Sequence, residues 1–253
     1  IDDDVSVASK MWIGLAKGEG RVFLNKNATM TMDPGDEIRL GYEANSTGRI
    51  WMSDNSRLIG KPVVSVGRAA DSVGSIVMSN STVIAVTNNY GIGVAVGEKS
   101  KGYVELNDNA KLFDGNKLTV GGGSSSYGHL VFKDNSHIDV KSDFVVGAGA
   151  GSTGIVELCN YTGSFNESPV YGNAAGSLAV LRLSGNSEFT VPKQINLGAV
   201  EGATGMIEAK DDATLRLPHG YLIHGVVGAT GVVSVCDNAR LIASTNKLQV
   251  GGD

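Results

Sequence analysis

The chain has 253 residues, 35 of them glycine and 5 proline, with 21 basic and 26 acidic side chains and a net charge of −5. Glycine at roughly double its usual ~7% share, beside alternating Val, Ile and Leu, points to many short strands and tight turns. The scattered basic residues lack the electrostatic footprint of a nucleic-acid binder, no apolar run approaches the ~18 residues of a membrane helix, and a start at Ile1 without a leader peptide fits a mature or excised segment.

In chain order, a glycine-terminated strand recurs at Gly14, Gly41, Gly67, Gly97, Gly121, Gly147, Gly172, Gly198, Gly225 and Gly251, at steps of 27, 26, 30, 24, 26, 25, 26, 27 and 26 residues. The residue before the glycine is usually apolar, as at Leu40, Val66, Val96 and Val120, and so is the one two positions earlier, as at Ile38, Val64, Val94 and Leu118. A second glycine follows at Gly20, Gly48, Gly74, Gly102, Gly128, Gly154, Gly205 and Gly231, with Ala179 in its place in the seventh unit. Beyond it, residues alternate. The inward set begins Val22, Ile50, Ile76 and Val104, and continues two residues on with Leu24, Met52, Met78 and Leu106. Period two with one apolar face is a half-buried strand.

A turn residue comes next, at Asn27, Asn55, Asn80, Asn109, Asn135, Asn160, Asn186, Asp212 and Asn238. Asn and Asp tolerate the left-handed conformation and bond their own backbone, so they suit corners, and stacked Asn side chains form ladders between neighbouring strands. The second strand of each unit offers Met30, Leu58, Val83, Leu112, Ile138, Phe189, Leu215 and Leu241 to the inside. Around residues 160–172 its pattern fails, which predicts a loop or bulge whose only acid is Glu167.

A unit of strand, glycine turn, strand, Asn corner and strand fits one three-sided coil. The fold class predicted is all-β: a single-stranded parallel β-helix (β-solenoid), right-handed by expectation, with about nine rungs of ~26 residues and three short strands per rung. Residues 1–253 are read as one solenoid domain. Ile1 aligns with Ala209, part-way along a first strand, and the chain stops after a third strand, so both ends are expected to be uncapped. The chain is then either a segment of a longer array or a protomer that stacks end to end.

The unit V-G-x(5-7)-G-x-V-x-L-x-D-N-A-x-L is clearest from Val96 to Leu112 and from Gly228 to Leu241. It resembles the passenger repeats of bacterial autotransporters and related large secreted surface proteins. The resemblance implies a β-helix displayed outside the cell, in adhesion, aggregation or surface coating.

Candidate chemistry is sparse. Cys159 and Cys236 fall three rungs apart on an outward face, about 14 Å by strand spacing, too far for a disulfide. His129, His137, His219 and His224 have no metal-ligand spacing, and His224 takes an inward slot. Glu157, Arg182 and Glu208 should form an acid–base–acid ladder on adjacent rungs, an ordinary cross-strand pairing. Asp2–Asp4 and Asp211–Asp212 lack the spacing of a calcium loop. Phe23, Trp51 and Val77 should line one outward column, with Trp12 on the neighbouring face, and such a patch marks a candidate partner surface. Sequons at Asn27, Asn45, Asn80, Asn160 and Asn166 arise readily from corner Asn residues.

The function expected is that of a non-catalytic extracellular structural or adhesive solenoid, without cofactor or metal. Its partners would be copies of itself, stacked or packed laterally, or a ligand on a host or cell surface. The alternatives are an end-to-end filament subunit and a carbohydrate-active β-helix enzyme or phage tailspike.

Overall fold

Short alternating segments bounded by turn residues cannot reach helical length, and every regular element among the described residues is a β-strand. The structure is a computed structural model. It describes all residues except 8–9, 34, 87–90, 166–167, 219–221, 244–247 and 251–253, and only the backbone of Leu222–His224 and Leu248–Val250. Strands pair in parallel with the strand one turn later, as Val22 with Ile50 and Ile50 with Ile76, except that His137–Val140 does not pair with Thr162–Ser164. The result is a β-solenoid with three strands per turn. Its first face is a nine-stranded sheet from Glu19–Leu24 to Thr230–Val235, and its third face a ten-stranded sheet from Met11–Ile13 to Leu248–Val250. The second face consists of a six-stranded sheet from Val5–Val7 to His137–Val140 and a four-stranded sheet from Thr162–Ser164 to Arg240–Ala243. Hydrogen bonds between turns run on through the corners, as from Gly67 N to Leu40 O (2.9 Å) and from Val73 N to Ser46 O (2.9 Å).

The inward columns expected on the first face are present. Ile50, Ile76, Val104, Leu130, Val156, Leu181 and Ile207 follow one another in the core, flanked by Met52, Met78, Leu106, Phe132, Leu158, Leu183 and Ala209. Ile1 occupies the expected position: its amino group donates to Phe23 O (2.7 Å) and its carbonyl accepts from Asn25 N (3.0 Å), the pairing made by Leu24 with the next turn.

Two placements differ from expectation. The third-strand corner of the fourth unit is Ala95, not Gly97, because Ile92 and Val94 pair with Leu118 and Val120, leaving Val96 beyond the strand. Ala95 takes a left-handed φ of 58° and is fully buried. Gly97 has a separate reason to lack a side chain: a Cβ there would lie 2.2 Å from Ala69 O in the turn below. Two glycine constraints two residues apart therefore look like one in the sequence. In the second strand, Ile84 rather than Val83 faces inward. Ile84 pairs with Leu58 and Leu112 and is buried, whereas Val83 pairs with Arg57 and Lys111. Two adjacent β-branched residues fit either parity, and only the neighbouring turns select one.

The Asn positions form two adjacent columns, not one. Asn27, Asn55, Asn109, Asn135, Asn186, Asp212 and Asn238 stand three residues after the last inward residue of the first strand. Asn80 and Asn160 stand two after it; Ser81 then fills the main column, whereas the corner at Asn160 is one residue shorter and the buried Tyr161 takes the next place, its carbonyl accepting from Glu188 N as Ala28 O does from Arg57 N. Rung-to-rung bonds link Asn55 Nδ2 to Asn27 Oδ1 (3.3 Å), Asn80 Nδ2 to Asp54 Oδ1 (3.2 Å) and Asn238 Nδ2 to Asp212 Oδ1 (3.1 Å). The first five corners place two consecutive residues at positive φ, as Asp54 (56°) and Asn55 (60°) do. This left-handed pair explains the recurrent Asp-Asn dipeptide.

Sequence reading missed a second set of small residues behind the corners. Ser46, Ser72, Ser100, Ser126, Ser152 and Ser177 form one buried column, and Ala28, Ser56, Thr82, Ala110 and Ser136 begin another. Several of their hydroxyls are held: Ser72 Oγ donates to Ala69 O (2.8 Å), Ser100 Oγ to Gly97 O (2.8 Å), Ser126 Oγ to Gly123 O (2.7 Å) and Ser56 Oγ to Leu24 O one turn back (2.9 Å), whereas those of Thr82, Ser136 and Ser152 are buried with no partner among the described residues. Such bonds remove the cost of burying a hydroxyl. The available signal was the restriction to Ser, Thr or Ala at these places.

The irregular unit lies where the second face changes sheets, although Glu167 and Asn166 fall outside the described residues. Aromatic side chains fill the interior there. Phe144 and Phe165 meet edge to face at 4.5 Å, as do Phe165 and Phe189 at 4.7 Å, and Tyr161 lies against Phe132 at 5.7 Å. These are favourable offset geometries. The Tyr171 hydroxyl is buried with no hydrogen-bond partner among the described residues, and burial pushes its phenol far above the ordinary value.

Two outcomes follow for stability. Ile84→Lys is expected to abolish folding or lower the melting temperature sharply, whereas Val83→Lys should stay within about 0.5 kcal/mol of the parent; equal sensitivity in thermal melts would refute the assigned parity. Tyr171→Phe removes an unpaired buried hydroxyl and should stabilise the chain by about 1 kcal/mol, read from urea midpoints. A loss of stability would show that the hydroxyl has a partner.

Candidate functional site on the first face

Alternation in the nine-stranded sheet sends every second side chain outward, and parallel pairing stacks these into columns. Phe23, Trp51 and Val77 pair in register on three consecutive turns, as expected. The Phe23 and Trp51 rings are stacked, with centroids 4.8 Å apart and planes 9° from parallel. Phe23 remains 47% exposed. Trp12 lies on the neighbouring third face, 41% exposed, and stacks on Tyr42 at 4.2 Å and 4°. Lys10 Nζ and the Arg39 guanidinium lie 5.9 and 5.6 Å from the Trp12 and Tyr42 ring centroids, within cation–π range. The structure thus places Phe23 and Trp51 in one stacked pair, extended by Val77, and Trp12 in a second pair on the adjoining face with Tyr42, a partner that the sequence reading did not single out.

Further along the first face the outward groups are polar and mutually paired. Arg182 donates to Glu157 (Nη1 to Oε1, 2.9 Å) and to Glu208 (Nε to Oε2, 2.7 Å), forming the expected acid–base–acid ladder. His129 Nε2 lies 3.2 Å from Glu157 Oε2. Glu105 accepts from Lys133 Nζ (2.7 Å) and from the Tyr103 hydroxyl. Burial raises the Glu157 carboxyl, but the hydrogen bond from Arg182 and the adjacent His129 imidazole outweigh it and hold the group below its ordinary value. The same balance, with Lys133 and Tyr103 as donors, lowers Glu105. Acids held ionised by bound cations are poor proton donors, and partly exposed pairs of this kind contribute ~0.2–1 kcal/mol each.

Cys159 and Cys236 are free thiols at their outward positions. His137 packs against Phe113 at 5.9 Å on the second face. His219 and the His224 side chain lie outside the described residues. Among the described residues no group of three or more His, Cys, Asp or Glu is arranged to hold a metal ion.

Sequence reading missed Asp114, a carboxylate at the inward end of the strand Lys111–Asp114, in register with Val86 and Val140. It is almost fully buried, and its oxygens accept from Ile92 N (3.0 Å) and Asn116 N (3.0 Å). Burial pushes its carboxyl up to about 6, partly offset by these two amide donors. The pairing resembles a backbone clamp more than a catalytic acid, because the group faces the core.

Compared with protein-family models, curated proteins and solved structures, the chain matches none.

The raised Asp114 carboxyl has a signed consequence. Between the ordinary value of 3.8 and about 6 the folded chain holds a proton that the unfolded chain has released, so this group lowers stability as pH rises through that window. Asp114→Asn removes the titration. The difference in unfolding free energy between variant and parent should move by roughly 3 kcal/mol in the variant's favour from pH 3.5 to pH 7. Urea melts at both pH values check this, and a constant difference would contradict the assigned burial.

Proposed function

We propose that the chain is a non-catalytic, extracellular β-solenoid that acts as a stiff spacer and display surface, in the manner of the autotransporter passenger repeats its units resemble. The observation that carries this reading is the continuity of the first face. Nine strands keep one register from Glu19–Leu24 to Thr230–Val235, and none is interrupted to build a cleft. At about 4.8 Å per turn the rod repeats its outward columns at a fixed step, a geometry suited to periodic display.

The pairing of charges supports the same reading. A hydrolase needs one carboxyl able to give a proton and another free to accept one or to attack. Glu157 and Glu208 are instead joined through Arg182, and Glu105 is tied to Lys133.

The test has two arms. Purified chain incubated with a broad polysaccharide panel should release no new reducing or unsaturated ends; cleavage of any one substrate would reverse the reading in favour of a carbohydrate-active enzyme. Protease treatment of intact source cells should remove the chain from the cell surface, and full protection in cells shown to be intact would refute the extracellular assignment.

A further inference from the structure

The Phe23–Trp51 stack ends abruptly. Because the two rings are nearly parallel at about the spacing of adjacent turns, the second face of the Trp51 indole looks along the rod over the next turn. That turn carries only short outward side chains, Val73, Ser75 and Val77. The turn beyond it carries long ones, Lys101 and Tyr103, and the Tyr103 ring extends along its own strand to Glu105. The short turn is therefore the floor of a trough of about 340 Å3, walled by Trp51 and Arg49 on one side and by Tyr103 and Lys101 on the other.

Width and charge select the occupant. The walls stand two turns apart, about 10 Å. A flat aromatic ring between two others fills only about 7–8 Å at contact distances of 3.5–4.0 Å, whereas a puckered sugar ring, thickened by its axial hydrogens, takes up the slack. Arg49, in the trough wall, shares the single carboxylate of Glu19 with Arg21, and both Glu19 and Arg21 lie one turn behind it. Lys101 is exposed and has no ion-pair partner among the described residues. The trough is thus locally cationic on a chain of net charge −5, which favours an anionic ligand.

We propose that this trough binds one ring of an acidic saccharide. The sugar's C–H face lies on the exposed face of Trp51, and its carboxylate is held by Lys101 and Arg49. The site rests on the reading of the chain as a display surface, since nothing in the trough is arranged to cleave what it holds.

The experiment is isothermal titration of the whole chain with tetragalacturonate, with its methyl ester as the neutral control. Binding is expected for the acid, weakened about tenfold or more, the equivalent of 1.4 kcal/mol, in Trp51→Ala and in Lys101→Ala, and weakened by added salt. Val77→Trp, an outward change that fills the trough, should leave circular dichroism and melting unchanged while abolishing binding. The site is overturned if the acid does not bind, if the methyl ester binds equally well, or if Trp51→Ala and Val77→Trp bind like the parent. Mass spectrometry of the recovered saccharide separates the two readings: intact tetramer supports both, and shortened tetramer overturns the non-catalytic reading while leaving the site in place.

Discussion

Parallel hydrogen bonding of each turn to the next, in a register kept throughout the first face and interrupted on the second face only at the irregular unit, is the constraint on which everything else in this molecule depends. It satisfies the backbone of three short strands per turn that could not persist alone. It also forces equivalent residues of successive turns into columns. A column is self-consistent only if its members agree in size and polarity, so the repeat in the sequence is the imprint of this pairing. The aliphatic columns of the first face, the buried serines behind the corners and the paired charges outside are three consequences of one rule.

The same rule limits what the surface can do. A side chain on the outer face has its nearest neighbours one turn above and below, so a charged group meets a partner along the rod rather than across a cleft. Glu157, Arg182 and Glu208 neutralise one another in this way, and Phe23 and Trp51 bury one ring face each. Function must then arise where a column is broken by a change of size. The turn carrying Val73, Ser75 and Val77 is such a place, because three small residues lie between turns with large ones. The irregular unit is another break, but its space is taken up inside by Phe144, Phe165 and Phe189.

Much of this was legible beforehand. Period-two alternation between glycine and Asn turns identified the three-sided coil, the inward columns of the first face, the outward positions of Phe23, Trp51, Val77 and Trp12, and the Glu157–Arg182–Glu208 ladder. Alternation suffices there because the apolar and polar sets differ clearly in chemistry. It failed where chemistry did not discriminate. Val83 and Ile84 are equally apolar, and at the fourth unit the preference of a left-handed corner for glycine pointed to Gly97 although Ala95 occupies the corner. Asn80 sits one residue out of the column that its neighbours share.

What the sequence by itself determined is the architecture: period, strand order and the parity of most positions, because stacking demands the same local solution in every turn. Only the tertiary structure decided which of two adjacent residues turns inward, which corners hold two left-handed residues, and that Asp114 is buried against the amides of Ile92 and Asn116. It alone showed that the exposed face of Trp51 opens onto a trough. These depend on the side chains of the turns above and below, whose contacts lie about 26 residues away along the chain and leave no mark in the local pattern.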